Sequence, residues 1–238
     1  MANSWFQFKQ FLVKQDNAAM KVCTDSCVFG ATIPVNVHTT SILDIGTGTG
    51  LLSLMLAQRS AAVIDAVEMN SDAAQQGRDN FFNSRWNDRL SVYETSIQDY
   101  FKVTTKQYDL IVCNPPFFSA SLKSGNDSKD MALHQSHLPV EELMQVTFFM
   151  LKEDGDAYML ISIYEEENFG KAANRAGLKA VRYLSMYDND KKLIRYVIHL
   201  RKDFKHNEEK EIQFIIRNSE NQYTVQFVEA LKDFYLNL

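Results

Sequence analysis

Residues 41–52 read Ser-Ile-Leu-Asp-Ile-Gly-Thr-Gly-Thr-Gly-Leu-Leu, and this stretch decides the fold. A short apolar strand leads into three glycines at alternate positions, and an apolar helical run follows. Glycines permit a tight turn and let the backbone approach a ligand closely. A strand, a glycine-rich turn and a helix in this order are the setting in which such a motif binds a nucleotide-like group. The next apolar strand, 62–67, ends at an acid, Glu68.

Strand and helix patterns alternate along most of the chain. Apolar strands are predicted at 41–45, 62–67, 90–93, 109–113 and 157–163, and helices at 26–35, 51–57, 71–83, 139–151 and 165–176. This alternation implies βαβ units and a parallel sheet. Strands at 180–186 and 193–200 flank a turn at 188–190 and predict an antiparallel hairpin at the sheet edge. A strand at 212–216 and an amphipathic segment at 223–236 complete the pattern.

We therefore predict an α/β fold with a mostly parallel central sheet, an antiparallel edge strand and helices on both faces. The whole chain, 1–238, is expected to form one domain, with an N-terminal flap and helix at 1–38 and the core at 39–238. The aromatic and basic stretch 4–14 is interpreted as a strand or turn packed over the core, with a flap near a nucleic acid as the alternative. The polar stretch 119–138 predicts a long loop.

The spacing of the glycines predicts the kind of cofactor. Gly46, Gly48 and Gly50 leave Leu51 where the third glycine of the dinucleotide pattern Gly-x-Gly-x-x-Gly would stand. Glu68 ends the next strand, where a carboxylate can accept both ribose hydroxyls. This pattern favours a mononucleoside-like cofactor such as S-adenosyl-L-methionine over a pyrophosphate. The alternative for Glu68 is a solvated strand end.

The strand 109–113 ends abruptly in Asn114-Pro115-Pro116-Phe117. Neither proline can donate to a sheet ladder, so the strand stops there, at the end where open α/β sheets bind ligands. The Asn114 side-chain oxygen and the Pro115 carbonyl can accept the hydrogens of a planar amine, and Phe117 can stack on its ring. These residue types indicate the catalytic acceptor site of an amino-methyltransferase. The alternative is a rigid turn that closes the sheet.

Composition narrows the possible partners. The net charge is −5, which disfavours non-specific coating of nucleic acid but allows a local basic patch. Three cysteines (Cys23, Cys27 and Cys113) predict reduced thiols in a cytoplasmic protein and no metal site. No signal peptide and no membrane span are expected. His134 and His137 are interpreted as loop residues, not ligands.

Several further elements together resemble a known family. Phe6-Gln7-Phe8-Lys9-Gln10-Phe11, Met20-Lys21-Val22-Cys23-Thr24-Asp25, the glycine turn, 65–68 and 114–117 occur in the order seen in bacterial tRNA1(Val) adenine-N6-methyltransferases. The closing 221–224 and 234–236 are similar as well, so the resemblance covers nearly the whole chain. The two N-terminal elements are its more specific part, because the glycine turn is common to class I methyltransferases and Asn-Pro-Pro-aromatic to amino-methylating ones.

The resemblance implies a Rossmann-like class I fold and transfer of a methyl group from S-adenosyl-L-methionine to N6 of the adenosine beside the anticodon of a valine tRNA. It places Asp44, Gly46, Gly48 and Glu68 at the cofactor, with Lys21 and Thr24 nearby. It places Asn114 and Phe117 at the base. For Asp44 the alternative is a helix cap.

Two positions depart from the family pattern. Phe117 stands where the family often has Tyr, so stacking is kept and a hydroxyl is lost. Ser96 stands where the family often has an acid that holds the adenine amine of the cofactor, so the usual carboxylate is absent at that position; Glu94 and Asp99 are the alternative acids nearby.

Rival functions share these motifs. Asn-Pro-Pro-Phe also resembles guanine-N2 enzymes of ribosomal RNA, and Asn-Pro-Pro-Tyr resembles glutamine-N5 enzymes of release factors. A catalytically inactive RNA-binding module and a nicotinamide dehydrogenase are two more rival functions. For an RNA substrate, the candidate contacts are basic: Lys9, Lys14, Lys123, Lys129, Lys191, Lys192, Arg195, Arg201, Lys202 and Lys205. A monomer is expected.

Overall fold

An eight-stranded sheet forms the centre of the computed structural model, which describes residues 3–16, 20–115, 138–203 and 211–238. Its strands are β3 (Ser41–Ile45), β4 (Val63–Glu68), β5 (Leu90–Glu94), β6 (Tyr108–Cys113), β7 (Leu151–Ser162), β8 (Lys179–Tyr187), β9 (Leu193–Arg201) and β10 (Ile212–Ile215). Their order across the sheet is β10-β8-β9-β7-β6-β3-β4-β5. A separate antiparallel hairpin consists of β1 (Trp5–Gln7) and β2 (Leu12–Lys14).

Strand direction gives the sheet two different edges. The strands from β5 to β7 are parallel, whereas β9 runs antiparallel to both β7 and β8, and β10 is parallel to β8. Seven strands therefore end at one edge, which we call the carboxyl edge, and begin at the other, the amino edge; β9 alone is reversed. The predicted fold class is confirmed. The predicted hairpin, β8 and β9, is present, but β10 rather than the hairpin occupies the outermost position.

Helices cover both faces of the sheet. They are α1 (Thr24–Thr32), α2 (Leu51–Arg59), α3 (Ser71–Phe82), α4 (Ile97–Val103), α5 (Val140–Met150), α6 (Glu166–Ala176) and α7 (Val225–Leu231). Apolar residues of α1, α2, α3 and α7 form one buried cluster, and those of α4, α5 and α6 form the other. The central strands read as continuous apolar runs because they are buried on both faces. None of these helices in the described part of the chain is long and apolar enough to span a membrane.

The N-terminal hairpin packs on the core, as the simpler interpretation of that stretch predicts. Phe8 is fully buried, stacks on Phe11 at a centroid distance of 4.5 Å and forms a β-bridge with Tyr235. The backbone N–H of Lys9 donates to Phe234 O at 2.7 Å. The hairpin therefore joins the two ends of the chain.

Some local predictions need correction. The crossover after β5 contains helix α4, which begins because the Ser96 hydroxyl caps it by accepting from the N–H of Asp99 at 3.0 Å. Strand β7 begins at Leu151, earlier than predicted, because its first residues pair with β6. Pro139 is the N-cap of α5, and the predicted loop 119–138 lies outside the described residues except for Leu138.

Candidate active site

A cavity of about 410 Å³ opens at the carboxyl edge. Its lining includes six of the predicted site residues: Lys21, Gly46, Gly48, Glu68, Asn114 and Pro115. They come from the segment before α1, from the loop after β3 and from the ends of β4 and β6. Parallel strands bring these ends together, which is why distant parts of the sequence meet here.

The glycine loop leaves open space beside the cavity. Gly46 and Gly48 adopt φ angles of +70° and +57°, and a Cβ atom built on either would meet no atom within 4 Å. A side chain there would be strained and would project into free space, so glycine serves the backbone conformation and the approach of a ligand. Gly50 differs, because a Cβ would lie 2.4 Å from the Phe81 ring. Its predicted contact with the cofactor stays a prediction, while packing by itself requires glycine.

Asp44 lies behind the wall of the cavity. It is 1% exposed, and its Oδ2 accepts hydrogen bonds from Thr47 Oγ1 at 2.6 Å and Ser53 Oγ at 2.7 Å. Its Oδ1 is buried and has no hydrogen-bond partner among the described residues. Burial raises the pKa of Asp44 to about 6, against the lowering effect of the Thr47 and Ser53 hydrogen bonds. The second oxygen is thus an acceptor available to a cationic or N–H-bearing group.

Glu68 ties the end of β4 to the glycine loop. Its Oε2 accepts from the N–H of Gly48, and its Oε1 accepts from the N–H of Asn70, both at 2.9 Å. Each carboxylate oxygen has a further lone pair for a hydroxyl group. The side chain faces the cavity, as expected for a ribose-binding acid.

Asn114, in the lining of the cavity, has a buried acceptor. Its Nδ2 donates to Ser26 Oγ at 2.9 Å and contacts Met20 Sδ at 3.8 Å. Its Oδ1 is buried without a partner among the described residues. Pro115 lines the cavity next to it, and Phe117 lies outside the described residues. A buried amide oxygen without a partner indicates a site for an external hydrogen-bond donor.

The two remaining N-terminal candidates are placed differently. Lys21 lines the cavity, and its Nζ donates to Asn3 O at 3.1 Å. Thr24 is the first residue of α1 and is not part of the lining. Asp25 lies in the first turn of the same helix.

Comparison with known proteins identifies the family. A family model described as "Methyltransferase small domain" matches residues 18–159. Over its full length the chain is 72% identical to a protein of Cytophaga hutchinsonii named tRNA1(Val) (adenine(37)-N6)-methyltransferase, of which it covers 100%. A protein of the same name from Flavobacterium psychrophilum is 39% identical over 98% of this chain and 100% of its own length. This chain belongs to the tRNA1(Val) (adenine(37)-N6)-methyltransferase family.

Membership in this methyltransferase family confirms the resemblance and the enzyme class predicted from the sequence. A solved structure, TYW2 of P. horikoshii in complex with MeSAdo, matches with a TM-score of 0.59 and 16% identity, covering 84% of this chain and 71% of that one. At that identity the likeness shows the Rossmann-like fold alone. The nicotinamide dehydrogenase alternative has no support from the family.

The family often has an acid at the position of Ser96, where it holds the adenine amine of the cofactor. In this protein the described residues that line the cavity there are uncharged. Thr95, Ser96 and Gln98 line the cavity, whereas Glu94 pairs with Arg78 at 2.5 Å and stands outside the lining. Asp99, the other possible substitute, pairs with Lys102 at 2.8 Å. Neither acid lines the cavity, so neither takes the place of the acid that the family often has at Ser96.

The predicted RNA-contacting residues divide between the two edges. Lys191 and Lys192 lie in the turn between β8 and β9, at the carboxyl edge with Asn114. Arg201 and Lys202 lie at the amino edge, where they pair with Asp156 at 3.2 Å and Glu153 at 2.8 Å.

Five of the remaining predicted residues lie outside the described part of the chain: Lys123, Lys129, Lys205, His134 and His137. The Lys9 ammonium donates to the backbone carbonyl of Lys232, and Lys9 is not part of the cavity lining. Lys14 is an exposed residue of β2. Within the ranges that the structure describes, no three His, Cys, Asp or Glu side chains form a metal-binding group.

Four residues of the site were not predicted. Thr47 and Ser53 hold Asp44, and Ser26 and Met20 hold Asn114. The spacing Asp44-x-x-Thr47 could have suggested the first contact, because an acid and a hydroxyl three residues apart in a turn can bond. The contact between Ser26 and Asn114 spans 88 residues and carries no local signal.

Proposed function

We propose that this chain transfers a methyl group from S-adenosyl-L-methionine to N6 of adenosine 37 in a valine tRNA. The observation that carries the proposal is the buried Asn114 Oδ1, which has no hydrogen-bond partner among the described residues, in a residue that lines the cavity at the end of β6. Full-length relatives of this family carry that activity in their names. The unused acceptor gives the chain a way to hold an exocyclic amine.

The residues around the glycine loop fit the cofactor. Gly46 and Gly48 leave room for close approach, Glu68 would accept ribose hydroxyls, and Asp44 Oδ1 would compensate positive charge on the amino acid part. Lys21 also lines the cavity. When bound there, S-adenosyl-L-methionine supplies a methyl group on a sulfonium centre, which needs no further activation.

Asn114 and Pro115 would activate the amine by position. The lone pair of an adenine N6 amine is delocalised into the ring, which makes the nitrogen a poor nucleophile. Two acceptors, Asn114 Oδ1 and the Pro115 carbonyl, would draw the amine hydrogens toward a tetrahedral arrangement and localise the lone pair for in-line attack. No strong base is required before attack, because the proton becomes acidic once the nitrogen is alkylated. Catalysis is then mainly orientation and electrostatics.

The substrate must deliver its base into this cavity. An adenosine in a folded anticodon loop has to be extruded from its stack to reach Asn114. We propose that Phe117 stacks on the extruded ring. The three free cysteines agree with a reduced, cytoplasmic setting in which tRNA is modified.

We also propose that residues 1–238 act as one methyltransferase domain. The bridge between Phe8 and Tyr235 and the bond from Lys9 N to Phe234 O join the N-terminal hairpin to the C-terminal part. Both packing clusters of the core use strands of the same sheet.

The test uses labelled S-adenosyl-L-methionine, unmodified valine tRNA and the variant Asn114→Ala. We expect wild type to label the tRNA and the variant to lose about 100- to 1,000-fold in kcat, as when one preorganised transition-state contact is removed. Calorimetry should show that the variant keeps its affinity for the cofactor, since Asp44, the glycine loop and Glu68 are untouched.

Nucleoside analysis of the labelled RNA separates the rival functions. N6-methyladenosine is the expected product. Label on guanine N2, or transfer to a glutamine of a release factor in place of tRNA, would contradict the proposal. Cofactor binding by wild type without methyl transfer to any RNA would instead support the inactive RNA-binding module.

A further inference from the structure

The Asn114 amide has two chemically opposite ends of nearly the same shape. Only the oxygen can accept a hydrogen from a substrate amine, whereas the NH2 group would meet that amine donor to donor. A rotation of the amide by 180° would therefore replace an attractive contact by a repulsive one. The methyl-transfer reaction requires that the amide be held in one of these two orientations.

Two side chains contact the NH2 end. Asn114 Nδ2 donates to Ser26 Oγ at 2.9 Å and lies 3.8 Å from Met20 Sδ. The hydroxyl of Ser26 could accept or donate, so by itself it does not distinguish the two ends. The thioether sulfur of Met20 has no hydrogen and can only accept. The pair therefore matches an NH2 group, which has two hydrogens to donate, and does not match a carbonyl oxygen.

Ser26 is itself held in place by burial and by contacts with its neighbours. Ser26 is 4% exposed and lies in the first turn of α1. Its N–H donates to Asp25 Oδ1 at 2.9 Å, and Asp25 Oδ2 pairs with Arg195 of β9 at 3.0 Å. The Ser26 hydroxyl is also 3.0 Å from Cys23 Sγ. Burial raises the pKa of Cys23 to about 11, so the sulfur is a neutral thiol next to that hydroxyl at neutral pH.

We propose that Ser26 and Met20 are positioning residues that fix the Asn114 amide with its oxygen toward the base to be methylated. Ser26 supplies the stronger contact, and Met20 excludes the flipped orientation. The inference rests on the proposed function for its catalytic consequence. The orientation of the amide itself is a property of the protein without substrate.

The first test separates kcat from binding. Ser26→Ala removes the acceptor and is expected to lower kcat roughly 10- to 100-fold, as expected when a reacting group loses its exact placement. The KM for tRNA and the Kd for S-adenosyl-L-methionine should stay within about 2-fold, since neither ligand loses a contact. Ser26→Thr keeps the hydroxyl and should restore most of kcat. Met20→Leu keeps the volume without the sulfur acceptor and should lower kcat about 2- to 5-fold.

Ser84→Ala is the matched control. Ser84 is a buried serine that follows α3; its hydroxyl donates to Phe81 O at 2.8 Å, and it is not part of the cavity lining. Its loss should leave kcat, the KM for tRNA and the Kd for S-adenosyl-L-methionine close to wild type. A fall in kcat in Ser26→Ala but not in Ser84→Ala would show that Ser26 acts on the chemical step, and that the effect is not the general cost of losing a buried serine hydroxyl.

The second test does not require activity. In protein labelled with ¹⁵N, the Asn114 side-chain NH2 protons should show nuclear Overhauser effects to the Met20 methyl group and the Ser26 β-protons. In Ser26→Ala these protons should exchange faster with water and the Met20 effect should weaken.

The outcomes are distinguishable. Wild-type kcat in Ser26→Ala, or a change confined to KM or Kd, would overturn the inference, as would the absence of these Overhauser effects in wild type. If wild type does not methylate adenine N6, the proposed function fails, and the resonance experiment still decides the orientation of the amide.

Discussion

Buried acceptors toward the two edges of the sheet differ in whether the described residues provide their hydrogen-bond partners. At the carboxyl edge, Asp44 and Asn114 each keep one buried oxygen without a partner in the described part of the chain. Toward the amino edge, Asp65 accepts from Tyr108 and Lys106 at 2.7 Å, from Tyr100 at 3.2 Å and from Tyr93 at 3.3 Å.

Asp109, at the start of β6, repeats the pattern of Asp65. Its Oδ2 accepts from the backbone and hydroxyl groups of Thr40 and Ser41, and its Oδ1 accepts from Lys152. Burial acts to raise the pKa of this carboxyl, but these hydrogen bonds outweigh it and hold the pKa well below its usual range. The pKa of Asp44 is raised to about 6 instead.

This difference shows which edge is built for stability and which for a ligand. A buried acceptor without a partner is unfavourable by about 1–3 kcal/mol, and one beside a cavity indicates a place where a ligand can satisfy it. The amino edge satisfies its carboxylates from within the chain. The carboxyl edge leaves Asp44 and Asn114 for groups that come from outside.

The largest expected effect is the loss of stability when Asp65 is removed. Asp65→Ala leaves the buried hydroxyls of Tyr100 and Tyr108 and the ammonium of Lys106 without their shared partner. We expect a destabilisation of about 2–4 kcal/mol, because two buried hydroxyls lose an acceptor while the half-exposed Lys106 ammonium can be hydrated. This corresponds to a fall in Tm of roughly 10 °C for a chain of this size. Thermal unfolding measures it. If Asp65 serves stability and not the ligand site, kcat measured well below the Tm should be near wild type. A variant with an unchanged Tm and a reduced kcat would contradict this role.

The second prediction is a gain of stability at the carboxyl edge. Asp44→Asn removes a buried charge, and the amide oxygen can still accept from Thr47 and Ser53. At pH 7.5 we expect the ligand-free protein to be about 1–2 kcal/mol more stable, after the cost of a buried NH2 group. Affinity for S-adenosyl-L-methionine should fall at least about 10-fold, as a charged acceptor is lost.

The pH dependence of this gain has a definite sign. The folded pKa of Asp44, about 6, exceeds the usual 3.8, so the native state binds more protons than the unfolded state between these values. Stability of wild type therefore falls as pH rises from about 4 to about 6 on account of this group. The advantage of Asp44→Asn should be full above pH 6 and should decline toward pH 4. A Tm difference that does not change with pH would show that Asp44 is not the cause.

The smallest expected effect concerns tRNA binding at the two edges. Lys191→Ala with Lys192→Ala removes two charges at the carboxyl edge, and we expect the KM for tRNA to rise about 3- to 10-fold with a shallower salt dependence. Arg201→Ala with Lys202→Ala removes the same charge at the amino edge and should leave the KM within about 2-fold. Steady-state kinetics at several salt concentrations would check both. Equal effects of the two pairs would contradict the assignment of RNA to the carboxyl edge.

The local parts of the site were predictable, because each is encoded in a few neighbouring residues. Alternate glycines after an apolar strand predicted the loop with Gly46 and Gly48, and Asn114 followed from the proline pair that stops β6. Helix α4 was missed although Ser96 and Asp99 have the spacing of a helix cap. The hairpin β8–β9 was found, but its place in the sheet was not, because strand order depends on pairing between distant segments.

Periodicity and motif spacing predicted the strands of the sheet, the glycine loop, the acceptor amide and the family, since these are local properties of the amino-acid sequence. The residues that hold the Asn114 amide are visible only in the folded chain, because Ser26 reaches it across 88 residues. The tertiary structure also placed Lys191 and Lys192, rather than Arg201 and Lys202, at the edge with Asn114, because β9 runs antiparallel to β7 and β8. Such placements arise from packing and strand direction, which no local pattern of residues encodes.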